Sequence, residues 1–294
     1  MKKLKIERIL IPIDFSETSL LAIEHGAFMA KLYKADLILL HIIEKNWEPF
    51  SIVEPGIILE KPGDISGKVE VRLAEIAENI RKDYGVSSTV ICSDGNICTE
   101  IVSVSKEKSV DFVVMGTHGV SGFEEFFIGS NTYKVVTMSE IPVVSVQVHS
   151  TRIGFNNIIV PIDNSNHSRQ KVAHALLLAK HYGSKIHVLG LLNSDDEASD
   201  ENKFKIKLEQ VQHYFEKHGI ITSSTTVKGT NHAGLTIEYS TKANADLIIT
   251  MTDQVEEGIF LGAYAQQIVN HSKIPVMSIT PEVHSENLPW VNPF

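Results

Sequence analysis

Ile9-Leu10-Ile11-Pro12-Ile13-Asp14-Phe15-Ser16 returns 149 residues later as Ile158-Ile159-Val160-Pro161-Ile162-Asp163-Asn164-Ser165. Each stretch is an apolar run of strand length that ends in a carboxylate and a helix-starting serine. The same offset carries Ala30-Lys31-Leu32-Tyr33 into Ala179-Lys180-His181-Tyr182. Further on, Asp246-Leu247-Ile248-Ile249 echoes Asp111-Phe112-Val113-Val114, and Ile274-Pro275-Val276-Met277-Ser278-Ile279 echoes Ile141-Pro142-Val143-Val144-Ser145-Val146, at offsets of 135 and 133. The chain is therefore read as a tandem repeat whose second copy has lost residues, mostly between its second and fourth strands. It divides near Thr151 into residues 1–150 and 151–280, followed by a tail, 281–294.

In the first copy, Ser16 and Glu17 predict a helix start ahead of Leu20, Leu21, Ile23 and Ala27. Leu37 to Ile42 predicts a buried strand. Val69 to Tyr84 and Thr99 to Lys108 have helical period, Ser87 to Cys92 strand character, and further strands begin at Phe112 and Val143. Pro49, Pro55, Gly56, Pro62 and Gly63 predict an irregular excursion from Glu44 to Gly67, a lid or partner surface. Uninterrupted apolar strands alternating with helices predict an α/β fold: two tandem doubly wound parallel-sheet domains of Rossmann-like type. Ligands of such sheets bind beyond the carboxyl ends of strands. Asp14, Ile42 and Gly116 all fall there.

After the fourth strand comes Gly116-Thr117-His118-Gly119, nine residues, then Gly129-Ser130. Glycines remove Cβ atoms that would keep a phosphate from the backbone, and a helix opening near Ser130 offers unpaired N–H groups and a positive dipole end. The spacing is neither that of the P-loop nor that of the dinucleotide fingerprint. G-x2-G-x9-G-[ST] in this place, together with the three strands above, resembles the ATP-binding branch of the universal stress protein family, whose fold is adenine nucleotide alpha hydrolase-like. The resemblance covers both copies. It implies that Pro12, Ile13, Asp14, Ser16, Ile42, Met115, Gly116, Gly119, Gly129, Ser130 and Asn131 bind ATP, or AMP or ADP, with Mg²⁺. Asp14 would meet the ribose or adenine side, Ile42 the adenine through its backbone, and the glycines, Ser130 and Asn131 the phosphates. The alternative role of Asp14 is to cap the following helix with Ser16.

Between the second and third glycines, Val120 to Ile128 holds Glu124 and Glu125 and no base, where the family often has Lys or Arg. His118 is expected to be solvated. In the second copy Met251 stands at the place of Gly116, the loop Thr252 to Leu261 is two residues shorter, and Gly262-Ala263 replaces Gly129-Ser130. That copy is expected to hold no triphosphate and to act as a structural or regulatory partner.

With 27 basic and 36 acidic side chains the net charge is −9, which opposes attraction to nucleic acids or anionic membranes. No apolar run approaches the ~20 residues a membrane span needs, and the protein is expected to be cytoplasmic. Cys92 and Cys98 are too few for a disulfide scaffold. Cys98 opens a helix, where the dipole could lower its thiol pKa, but packing is the expected role of both. No metal pattern is found among the histidines, and no catalytic residue is assigned. Without a Walker lysine, an acidic pair for Mg²⁺ or a general base, at most slow ATP hydrolysis is expected. The alternative function is a nucleotide-free tandem scaffold. The two copies could also form within one chain the pairing that single-copy relatives make as homodimers. The tail carries Leu288, Trp290, Val291 and Phe294 and is expected to dock rather than to be solvated.

Overall fold

The computed structural model describes residues 5–44, 62–117, 129–165, 167–255, 258–260 and 262–281. Gly119, His118, Glu124 and Glu125 lie outside the described residues, as do most of the 44–67 excursion and the apolar side chains of the tail.

The first copy runs β1 (Arg8–Pro12), α1 (Glu17–Tyr33), β2 (Asp36–Ile43), α2 (Pro62–Tyr84), β3 (Ser88–Asp94), α3 (Ile97–Glu107), β4 (Phe112–Gly116), α4 (Ser130–Met138) and β5 (Val143–Val146). The second runs β6 (Asn157–Ile162), α5 (Val172–Tyr182), β7 (Lys185–Leu192), α6 (Ala198–Lys217), β8 (Thr222–Lys228), α7 (His232–Lys242), β9 (Leu247–Met251), β10 (Asp253–Val255), β11 (Gly258–Phe260), α8 (Ala263–His271) and β12 (Val276–Ile279). Two details differ from the sequence reading. Helix α2 reaches back to Pro62 rather than starting at Val69, because a proline without an N–H is tolerated in a helix's first turn. The segment read as the loop Thr252 to Leu261 contains an antiparallel hairpin, β10 with β11.

All strands but those two form one ten-stranded sheet, ordered β3-β2-β1-β4-β5-β12-β9-β6-β7-β8. Pairing is parallel within each half and antiparallel at the seam, where Ser145 faces Val276 and Val144 faces Met277. The Ser145 hydroxyl donates to the Val276 carbonyl at 3.1 Å, so a polar side chain at the fully buried centre is satisfied. On one face a single apolar cluster crosses the seam, joining Ile9, Ile11 and Val144 to Ile158, Val160 and Met277. On the other face the cluster around Leu40 and Met115 takes in Ala265 of α8, and the second half has a separate cluster around Leu189 and Ile248. His25 of α1 bonds the Ser150 carbonyl of the inter-copy linker at 2.8 Å. Its repeat counterpart on α5, His174, is pushed down to about 4 by burial.

A paired aspartate fixes the sheet in both halves. Asp111 Oδ2, just before β4, accepts the Glu7 and Arg8 N–H groups at 2.7 and 2.9 Å. Asp246, just before β9, accepts those of Asn156 and Asn157 at 2.9 and 3.0 Å, and adds an ion pair with Arg152 at 2.8 Å. Each carboxylate ties the start of a first strand to the start of a fourth. The Asp246 side chain is 2% exposed, so its loss strands buried N–H donors. Asp246→Ala should lower the unfolding free energy by about 2–4 kcal/mol, and Asp111→Ala by about 1. Denaturant midpoints of the two variants check this, and equal small losses would contradict it.

Candidate functional site

The order 3-2-1-4-5 within the first half reverses direction between β1 and β4, and a crevice opens there at the strands' carboxyl ends. Pro12, Ile13, Asp14, Ser16, Ile42, Met115, Gly116, Gly129, Ser130 and Asn131 all line it. Of the sequence-derived set, only Gly119 is missing, because it lies outside the described residues. Leu40, His41, Ile97, Ile101, Thr117 and Thr132 also line the walls and were not singled out from the sequence.

Asp14 and Ser16 form a small Asx turn at the end of β1. Asp14 Oδ1 accepts from the Ser16 N–H at 3.0 Å and from its hydroxyl at 2.5 Å. Ser16 is the N-cap of α1, its oxygen accepting from the Ser19 N–H at 3.2 Å. The cap is thus Ser16 alone. Asp14 stays exposed, with Oδ2 turned to no protein partner among the described residues.

Two glycines have packing or hydrogen-bonding roles that the sequence reading did not include. A Cβ added at Gly116 would come within 2.7 Å of the Thr18 backbone carbon and Oγ1. The glycine therefore makes room for the first turn of α1. In the second copy, where Met251 takes this place, α5 starts at Val172 while the repeat register would start it at residue 166. Gly129, the N-cap of α4, donates its N–H to the Thr117 carbonyl at 2.6 Å. That donor is committed, and the anion-binding groups left among the described residues are the first-turn N–H groups of Ser130, Asn131 and Thr132.

Beside them, the Cys98 thiol lies 3.5 Å from Asn131 Oδ1 and 3.8 Å from its carbonyl. Cys98 is 2% exposed and burial pushes its thiol up, overriding the helix-start effect allowed for in the sequence. It packs and orients Asn131. The second copy exchanges this group together: Ala233 for Cys98, Thr236 for Ile101, Tyr264 for Asn131. The Tyr264 ring packs against the cluster of Ala233, Leu189 and Leu191, and its hydroxyl meets Thr236 at 3.1 Å. An aromatic ring thus occupies the position where the first copy has the Asn131 amide. Burial pushes the phenol up.

The mouth of the second copy is closed as well. Lys207 on α6 donates to the carbonyls of Asp163 and Ser165 at 2.6 and 3.0 Å. Burial alone would push the Asp163 carboxyl up, but Lys171, two Ser165 hydrogen bonds and Lys207 together hold it below the usual aspartate range. Burial pushes the Lys207 ammonium down to about 8, with Asp163 opposing the shift.

The model of the family described as "Universal stress protein family" matches residues 5–147 and again 154–279. A universal stress protein of Methanocaldococcus jannaschii is 33% identical over 153 residues, 48% of this chain and 94% of its own. One of Bacillus subtilis is 28% identical over 145 residues, 48% of this chain and 98% of its own. A solved universal stress protein from Archaeoglobus fulgidus follows the whole tandem, with a TM-score of 0.75 at 20% identity over 95% of this chain and 99% of that one.

The pH dependence of Lys207 tests the closed mouth. Its folded pKa, about 8, lies below the ordinary 10.5, so between these values the unfolded chain binds more protons and the Lys207 contribution to stability rises with pH. The stability of the wild type minus that of Lys207→Met should therefore increase from neutral pH to about pH 9.5, before tyrosines titrate. A flat difference would show Lys207 to be solvated.

Proposed function

The chain belongs to the universal stress protein family, and we propose that the crevice of its first copy binds an adenine nucleotide, ATP in the first place, with AMP and ADP as alternatives. The observation that carries this is the convergence of three complementary surfaces on one crevice at the switch point. Asp14 offers a carboxylate oxygen to ribose hydroxyls. The end of β2 offers the Ile42 backbone to the base edge, above apolar Leu40, Ile101 and Met115. The start of α4 offers N–H groups to phosphate, with the Ser130 hydroxyl as a further donor.

The role is regulatory, with at most slow hydrolysis. Asp14 is the one carboxylate among the described lining residues, and its Oδ1 is held by Ser16. Mg²⁺ would accordingly arrive with the phosphates rather than in a protein cage. Tyr264 and Lys207 favour a scaffold role for the second copy. The antiparallel seam pairs the copies within one chain, so a homodimer would use other surfaces. No helix among the described residues is long and apolar enough to cross a membrane, in keeping with a cytoplasmic place.

Gly129 has φ −55° and ψ 140°, which valine also adopts. Gly129→Val should keep the fold, crowd the crevice and abolish ATP binding in calorimetric titration. Wild-type stoichiometry should be one nucleotide per chain, and Met251→Gly should leave it at one, since Tyr264 still fills the second crevice. Undiminished affinity in the valine variant, or a second site in the glycine variant, would overturn the assignment.

A further inference from the structure

The two copies differ by one rung of their ladders. Between β1 and β2 the register ends at Pro12 opposite Leu40. Between β6 and β7 it runs one pair further, to Ile162 opposite Gly190. Gly190 is the repeat counterpart of His41. In a parallel ladder the extra pair consists of two bonds: the Ile162 N–H to the Leu189 carbonyl, and the Leu191 N–H to the Ile162 carbonyl. In the first copy the former has its counterpart, Ile13 N–H to the Leu40 carbonyl at 2.8 Å. The latter does not. The Ile13 carbonyl is instead taken by His41 Nδ1 at 2.7 Å.

Ile42 is thereby left with its ladder groups open. Asp36 donates toward β1 and Leu37 toward β3, and this alternation turns the Ile42 N–H and C=O toward β1, over the end of that strand. Ile42 lines the crevice at that point. Meanwhile β2 stays paired with β3 as far as Ile43 opposite Asp94, so the freed edge is rigid. His41 also packs its ring on Phe15, with centroids 5.1 Å apart. Phe15 has φ 64°, the left-handed region that a bulky residue keeps only when its surroundings impose it. Asn164, its counterpart, is not in that region.

We infer that His41 is a positioning residue: by capping the Ile13 carbonyl and holding the Phe15 turn, it stops the β1–β2 ladder one rung early and leaves the Ile42 backbone free to read the base. This rests on the nucleotide reading above and adds a specificity device to it. One N–H and one C=O on the same edge match a ring nitrogen next to an exocyclic amine, as in adenine. Inosine presents acceptor and donor in the reverse order. In the second copy a Cβ on Gly190 would meet Leu208 Cδ1 at 2.5 Å and Phe204 Cε1 at 2.9 Å, so a histidine there would require both side chains to shift.

The test uses the full chain without and with nucleotide. In the unliganded wild type the Ile42 amide should exchange rapidly with solvent deuterium. In His41→Gly the ladder closes, and exchange should slow by about tenfold or more. In the same variant ATP affinity should fall about tenfold, the worth of one or two lost hydrogen bonds, and the preference for ATP over ITP should shrink. His41→Asn, whose amide can still donate to the Ile13 carbonyl, should restore part of both. His41→Ala serves in place of the glycine variant if that one does not fold. Equal Ile42 exchange in wild type and variant, or an unchanged ATP-to-ITP ratio, overturns the role of His41. Absence of ATP binding to the wild type overturns the nucleotide reading instead, and the exchange measurement still decides whether His41 ends the ladder.

Discussion

The antiparallel pairing of β5 with β12 is the contact on which the rest of the structure depends. Without it each half would expose a strand whose both faces are apolar and whose outer edge is unpaired, the usual invitation to aggregation. With it, ten strands share one sheet and only β3 and β8 remain as edges. The apolar cluster of α1, α2, α5 and α6 runs across the seam without interruption, while the crevice-bearing face carries two clusters, the first of which takes in only Ala265 from the second copy. One face thus welds the copies together, and the other leaves each copy its own strand-end chemistry.

The strands were legible in the sequence because burial on both faces writes them as unbroken apolar runs, and the repeat supplied the division. The crevice residues were legible because strand ends of a doubly wound sheet converge wherever the chain places them. What stayed hidden depends on partners far away in sequence. Gly116 carries no local sign that it makes room for Thr18, nor Gly129 that the Thr117 carbonyl accepts its N–H. Nothing local to His41 says that its ring will take the Ile13 carbonyl, and Cys98 gives no sign that it will orient Asn131. The start of α2 was missed because proline counts as a breaker in a pattern but is harmless in a first turn.

The two copies show how one scaffold supports two surfaces. The clamp by Asp111 and Asp246, the Asx turns at Asp14 and Asp163 and the caps at Asn96 and Asn231 are kept. The changes are concerted. A tyrosine that needs room comes with the alanine that gives it and the threonine that bonds its hydroxyl, and the glycine that lets the ladder close comes with the Phe204 and Leu208 side chains that cover it.

The contact between Gly116 and Thr18 reaches beyond packing. Helix α1 begins at Glu17, directly after its Ser16 cap, and a helix's partial positive charge acts mainly within its first turn. In the first copy the starts of both α1 and α4 border the crevice, through Ser16, Ser19, Ser130 and Asn131. In the second, Ser168 keeps the bond to the Ser165 carbonyl that Ser19 makes to Ser16, but residues 168–171 are turns and α5 begins at Val172. A hydrogen atom in place of a side chain, at a position that itself carries no charge, therefore lets the first turn of α1 lie against the end of β4, where two helix ends contribute to the electrostatic potential an anion meets.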